Sequence, residues 1–256
     1  MTQSDHDERE RIWPTPLRQE EYRRRFPDQF ARYDYALRFV GHKRVLDCAC
    51  GTGYGSWLLS AAGAIQVVGV DVDPETIQWA TQHFLRQNTE FRLFAGERLP
   101  VADGEFEQAV SLETIEHIED PAAFVAELAR SLVPGGGLFL STPLTYGPTR
   151  LKPQNQYHLR EFDDGELEAL LSPHFIIRER LGQQSQTAAR FAELKRAPLL
   201  GPAVRAGFHR KLPKPVRALA RAWLGRSSAD QQVWITNDGW QEAPVQIVVA
   251  EKRRNP

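Results

Sequence analysis

Cysteine is scarce in this chain of 256 residues: there are two, Cys48 and Cys50, with Ala49 between them. Two thiols supply neither the pairs of a disulfide framework nor the ligands of a structural zinc site, so they read as small residues packed into a turn. Long apolar runs are also missing, and none approaches the ~18–20 residues that a bilayer-spanning helix needs. Residues 1 to 10 are polar and acidic, where a secretory leader would be basic and then apolar. The expected location is the cytoplasm. What is present suits a globular enzyme: 41% of residues are hydrophobic and 25% charged, enough to bury the core of one α/β domain with additions.

The chemistry is concentrated between Val45 and Asp71. Val45-Leu-Asp-Cys-Ala-Cys-Gly-Thr-Gly53 is a short apolar run that ends in a carboxylate, Asp47, and passes into small residues with glycines at 51, 53 and 55. This pattern describes a strand turning sharply into a helix, with glycines that let a ligand approach the backbone. A second apolar run, 66–70, brings Asp71 to the same edge, where an acceptor-only side chain can take both hydroxyls of a ribose. A nicotinamide dinucleotide site would use a related turn, since Gly51-Thr-Gly53-Tyr-Gly55-Ser56 nearly fits its glycine spacing. Asp47 argues against it, because a carboxylate there repels a pyrophosphate and attracts a cationic ammonium group.

Strand-like and helix-like patterns alternate along the chain. Apolar residues at near-helical spacing over 19–40, broken at Pro27, predict one or two leading helices. Strands are expected at 44–49, 66–70, 90–94, 106–112, 138–141, 175–181 and 245–251, with helices at 55–62, 74–87, 121–132 and 165–171. Pro74 and Pro121 stand where helices would begin, which suits a residue with fixed φ and no donor. The fold expected is a doubly wound, Rossmann-like sheet of seven strands. Its parts would be an N-terminal tail with leading helices (1–40), a core (41–181), a helical insertion (182–241) and a last strand with its tail (242–256).

The motif at 45–55, Val68-Gly-Val-Asp71, Phe106-Glu-Gln-Ala-Val-Ser-Leu-Glu-Thr-Ile-Glu-His117 and Leu132-Val-Pro-Gly-Gly-Gly-Leu-Phe-Leu-Ser-Thr-Pro143 occur in order. Together they resemble the successive motifs of class I S-adenosylmethionine-dependent methyltransferases. Asn155-Gln-Tyr-His158-Leu-Arg-Glu-Phe162 further resembles a bacterial branch that serves glycan and small-molecule biosynthesis. The resemblance implies S-adenosylmethionine as cofactor. Asp47, Ala49 and the Gly51 to Gly53 backbone would hold its methionine part, Asp71 its ribose and Val72 one adenine face. Glu97 or a neighbour after the third strand would reach the adenine edge; here the sequence departs from many relatives, which carry Asp where Ala95 stands. Tyr33 would close the pocket from the leading helices, and Glu113 would line it.

Methyl transfer from a sulfonium asks mainly for an acceptor held in line, and a hydroxyl acceptor also benefits from losing its proton, a task suited to histidine. His158 and His117 lie at the ligand-facing edge and are the candidate bases. Glu113, Glu116 and His117 share one face if a helical turn begins there, and the same spacing resembles ubiquinone-pathway O-methyltransferases, where a divalent metal is implied. The favoured alternative has the carboxylates capping backbone amides, without a metal.

Residues 190–226 hold ten Lys or Arg and one acid, a net +9 in a chain of net −1, interleaved with aliphatic side chains and broken by prolines. This segment reads either as a solvated cap or as a surface for an anionic or lipid-linked substrate, a membrane or nucleic acid, the last being least favoured because few aromatic faces are offered for stacking. The activity expected is methyl transfer to an oxygen, or secondarily a nitrogen, of a small molecule such as a sugar or glycoconjugate. An RNA methyltransferase and a non-catalytic cofactor-binding regulator are the alternatives.

Overall fold

A computed structural model describes residues 13–94, 98–144, 155, 157–185, 232–238 and 240–254. Helices α1 (Gln19–Arg25) and α2 (Pro27–Ala36) lead, and the break between them falls at Pro27 as the sequence requires. Then follow β1 (Arg44–Cys48), α3 (Tyr54–Ala61), β2 (Gln66–Asp71), α4 (Pro74–Phe84), β3 (Thr89–Leu93), β4 (Phe106–Leu112), α5 (Pro121–Ser131), β5 (Leu132–Pro143), α6 (Asp164–Leu171), β6 (Phe175–Ser185), β7 (Val233–Thr236) and β8 (Val245–Lys252). Pro74 and Pro121 do open α4 and α5. Each follows an aspartate cap: Asp73 accepts from the Glu75 amide, and Asp120 from the amides of Ala122 and Ala123.

The strands form one sheet in the order β3-β2-β1-β4-β5-β8-β6-β7, parallel from β3 to β5 and antiparallel beyond. The strand order reverses between β1 and β4, which run parallel, and at such a switch point the carboxyl ends of the strands leave a crevice for a ligand. Strand residues alternate between two cores. Leu46, Val68, Leu138 and Val248 pack toward α5 and α6, whereas Val45, Val67, Phe139 and Ile247 pack toward α2 and α3. Burial on both faces explains why the parallel strands read as continuous apolar runs.

The sheet has eight strands, not seven. Strand β6 continues four residues past the expected end at Leu181, and β7 pairs with that extension at Gly182 to Ser185. Both flanks of the expected insertion 182–241 are thus strand, while the basic segment 190–226 lies outside the described residues. Val233-Trp-Ile-Thr236 is β-branched and aromatic and runs into Asn-Asp-Gly, a local strand signal that the expectation of a helical insertion passed over.

Candidate functional site

The crevice is a cavity of about 840 Å³ at the carboxyl ends of β1, β2 and β4, closed on one side by α2 and on another by Asn155, Tyr157 and His158. Its first end is built by the turn after β1. Asp47 is fully buried and is not part of the cavity wall; its carboxylate accepts hydrogen bonds from the Tyr33 hydroxyl (3.1 Å) and the Ser56 hydroxyl (2.6 Å). Burial pushes its pKa up to about 6 against the opposing pull of these two donors. Asp47 therefore acts on the cavity through Tyr33, which does line it.

The glycines divide into two kinds. Gly51, at φ +53°, has no atom within 4 Å of where a Cβ would point, and it lines the cavity. A Cβ on Gly53 would meet Ala80 at 2.6 Å and the Phe91 ring at 2.9 Å, and one on Gly55 would meet the Tyr33 ring at 2.0 Å. Gly51 alone of the three leaves open space on the cavity side; Gly53 and Gly55 let α3 settle against α4, β3 and α2. Ala49 lines the cavity in a left-handed conformation, φ +63°, that a glycine would adopt without strain.

Asp71 clamps this turn. One oxygen accepts from the Gly51 amide at 2.8 Å and the other from the Asp73 amide at 3.0 Å, leaving further lone pairs for the cavity that it lines. The Gly51 amide is thus engaged within the protein instead of facing a ligand. Val72, 64% exposed, stands at the rim, with Phe94 opposite at the end of β3. Glu97 lies outside the described residues.

The second end gathers groups from three segments. Ile115–His117 is a 3-10 turn, and Glu113 precedes it at φ +49° with its carboxylate accepting from the Ser141 hydroxyl at 2.8 Å. Glu116 is fully buried; one oxygen accepts from the Thr142 hydroxyl at 2.9 Å and the other has no partner. Burial, reinforced by the charge of Glu113, pushes its pKa up to about 9, so this carboxyl is a neutral acid at pH 7. The His117 Nδ1 lies 2.9 Å from the Tyr157 carbonyl, and the His158 Nδ1 lies 3.1 Å from a Glu161 oxygen. The two imidazoles meet edge to face at 4.9 Å.

The helical face of Glu113, Glu116 and His117 anticipated for a metal is therefore not formed. The group that comes together is Glu116, His117 and His158, with one donor atom of each within 4.8 Å of the others. With both Nδ1 atoms engaged by oxygens, each imidazole keeps its Nε2 for a proton or a ligand, an arrangement suited to handling a proton.

Arg32 escaped the sequence reading. It lines the cavity from α2 while 93% buried, its Nη1 donates to Gln183 at 3.1 Å, and its Nε has no partner. Its burial depends on the β6 extension that carries Gln183, so the local sequence of α2 gives no sign of it. Phe94 was visible only as the end of a strand, and Tyr157 only as a neighbour of His158.

Residues 46–140 match the family described as "Methyltransferase domain". A protein of Mycolicibacterium smegmatis described as a probable S-adenosylmethionine-dependent methyltransferase is 34% identical over 160 residues, 60% of this chain and 61% of the relative. A ubiquinone biosynthesis O-methyltransferase of Xanthomonas oryzae is 34% identical over 148 residues, 51% of this chain and 62% of that protein. The chain thus spans about three-fifths of the length of these relatives. Among solved structures, an S-adenosylmethionine-dependent methyltransferase from Mesorhizobium loti superposes with a TM-score of 0.55 at 18% identity, covering 88% of this chain and 99% of its own. The [4+2]-cyclase SpnF superposes with a TM-score of 0.57 at 21% identity, covering 88% and 81%. At such identities the likeness is one of fold, and the pairing of a methyltransferase with a cyclase shows that this fold hosts more than one chemistry.

Proposed function

We propose, from a core that belongs to the class I S-adenosylmethionine-dependent methyltransferases, that this protein moves a methyl group from S-adenosylmethionine to an oxygen of a small molecule. One observation carries the reading: a single cavity joins the Gly51–Asp71 end to an end that holds two histidines with engaged Nδ1 atoms. The first end fits the cofactor. The open side of Gly51 admits a ligand against the backbone, the remaining lone pairs of Asp71 suit ribose hydroxyls, and Val72 and Phe94 offer faces for adenine. Arg32 supplies a buried cation for the carboxylate of the methionine part, and the Tyr33–Asp47 pair supplies negative potential for its ammonium.

When bound, the cofactor supplies a methyl already activated by a sulfonium. The remaining work falls to the chain. His158 accepts the proton of the acceptor hydroxyl, His117 hydrogen-bonds beside it, and the walls hold the oxygen in line at roughly 3 Å. The neutral Glu116 is available as a donor near the same point. The acceptor class we favour is a sugar or glycoconjugate, with the charge of 190–226 suited to one that carries an anionic group. Turnover of radiolabelled S-adenosylmethionine against sugar, phenol and RNA panels tests this. Methylation of RNA alone would replace the small-molecule reading. Binding of S-adenosylhomocysteine with no acceptor methylated in any panel would favour a non-catalytic binder.

A further inference from the structure

Residues 157–162 lie between β5 and α6 without regular structure, yet hydrogen bonds fix them on both sides of His158. The Tyr157 amide donates to the Asn155 side chain at 3.1 Å, and the amides of Leu159 and Arg160 both donate to the Glu116 carbonyl, at 2.9 and 3.2 Å. Phe162 is buried and bridges to Leu144. With the backbone held, one bond orients the imidazole: its Nδ1 lies 3.1 Å from Glu161, with side-chain exposures of 11% and 24%. A carboxylate offers acceptors only, so the ring nitrogen facing it carries the proton. Nε2 keeps its lone pair, and no described residue bonds it.

We propose that Glu161 is a positioning residue, which holds His158 in the Nδ1–H form and presents the basic Nε2 to the acceptor. The inference rests on the reading of His158 as the base. A neutral imidazole otherwise exchanges between two tautomers, and the wrong one places a proton where a lone pair is needed. In the reaction the acceptor oxygen gains the methyl, the sulfonium sulfur keeps the bonding pair and leaves as a neutral thioether, and the hydroxyl proton passes to Nε2. Glu161 sits across the ring from that event and stabilises the imidazolium as it forms, the role of an orienting third group behind a base.

The test uses the full chain labelled with 15N, and long-range proton–nitrogen correlation spectra taken in alkaline buffer, where the rings are neutral. His158 should show the Nδ1–H pattern in the wild type, shift toward Nε2–H in Glu161→Leu and largely keep Nδ1–H in Glu161→Gln, whose amide oxygen still accepts. With the acceptor that the panel returns, turnover should fall by about 10–100-fold in Glu161→Leu and less in Glu161→Gln, with S-adenosylhomocysteine affinity unchanged in calorimetry. A purely structural role for Glu161 would leave the tautomer unmoved. A wild-type spectrum of the Nε2–H form overturns the proposal without any variant, and so does an unshifted tautomer in Glu161→Leu. If the tautomer shifts as expected but His158→Ala keeps full turnover, the assignment of the base fails while the role of Glu161 in holding the ring stands.

Discussion

The two ends of the cavity are built by opposite strategies. At the cofactor end Asp47 and Asp71 lie on adjacent parallel strands in the middle of the sheet, and their carboxylates are already tied to the turn that they shape. At the acceptor end Glu116 and His117 come from a single turn and His158 from a loop. Bonds between segments about 40 residues apart hold them together, as His117 does with Tyr157. A ligand common to every member of a family can be met by the rigid sheet, whereas acceptor chemistry that differs between members is met by loops, which change without disturbing the core.

The largest expected effect separates the ends by function. Replacing His158 by Ala should lower turnover by about 10²–10⁴-fold while leaving S-adenosylhomocysteine affinity nearly unchanged. Unaltered turnover would remove the division of labour between the ends. The converse is Asp71→Ala, which takes away a charge-assisted acceptor and should weaken S-adenosylhomocysteine binding by about 1–3 kcal/mol in calorimetry. Affinity equal to that of the wild type would mean that Asp71 serves only to clamp the Gly51 amide.

A third pair of variants tests whether the glycines of the turn do one job or two. Gly55→Ala drives a methyl into the Tyr33 ring and should cost about 1–3 kcal/mol of stability by denaturant unfolding. Gly51→Ala meets open space, so it should cost the free protein only about 1 kcal/mol, from its left-handed backbone, yet impair cofactor binding strongly. Equal stability losses with equal binding losses would show that the turn responds as one unit.

The same contrast governs what could be read in advance. The apolar runs of β1, β2 and β4, the carboxylates that end them and the proline-started helices are local patterns, and the structure has them where the sequence puts them. The glycines were found but their purpose was not, because a glycine facing a ligand and one facing a tyrosine look alike until the neighbour is known. The burial of Arg32 depends on a long-range bond, through Gln183, between segments far apart in the chain. His158 and Glu161 stood three residues apart in plain view, and the spacing alone would have justified asking whether they bond.

The effect that is smallest per step, about 1 kcal/mol for each pH unit, concerns the two buried carboxyls, one at each end. Asp47 is raised from 3.8 to about 6 and Glu116 from 4.5 to about 9. In both, the folded state holds its proton at pH values where the unfolded chain has lost it. The stability that each contributes is therefore complete below the unfolded value and is lost as pH rises through the folded one. Asp47 completes this loss near pH 6, so of these two carboxyls only Glu116 contributes a slope above about pH 7. Glu116→Gln replaces the neutral acid by a group that never ionises, and subtracting the two proteins cancels every other titration to first order. The wild type should lose stability relative to Glu116→Gln by roughly 1 kcal/mol per pH unit, an upper bound for one proton, from about pH 7 until the difference levels off near pH 9. A difference independent of pH over that range would mean that Glu116 is ionised in the folded protein. The acceptor end would then carry a buried charge in place of a neutral donor beside two imidazoles.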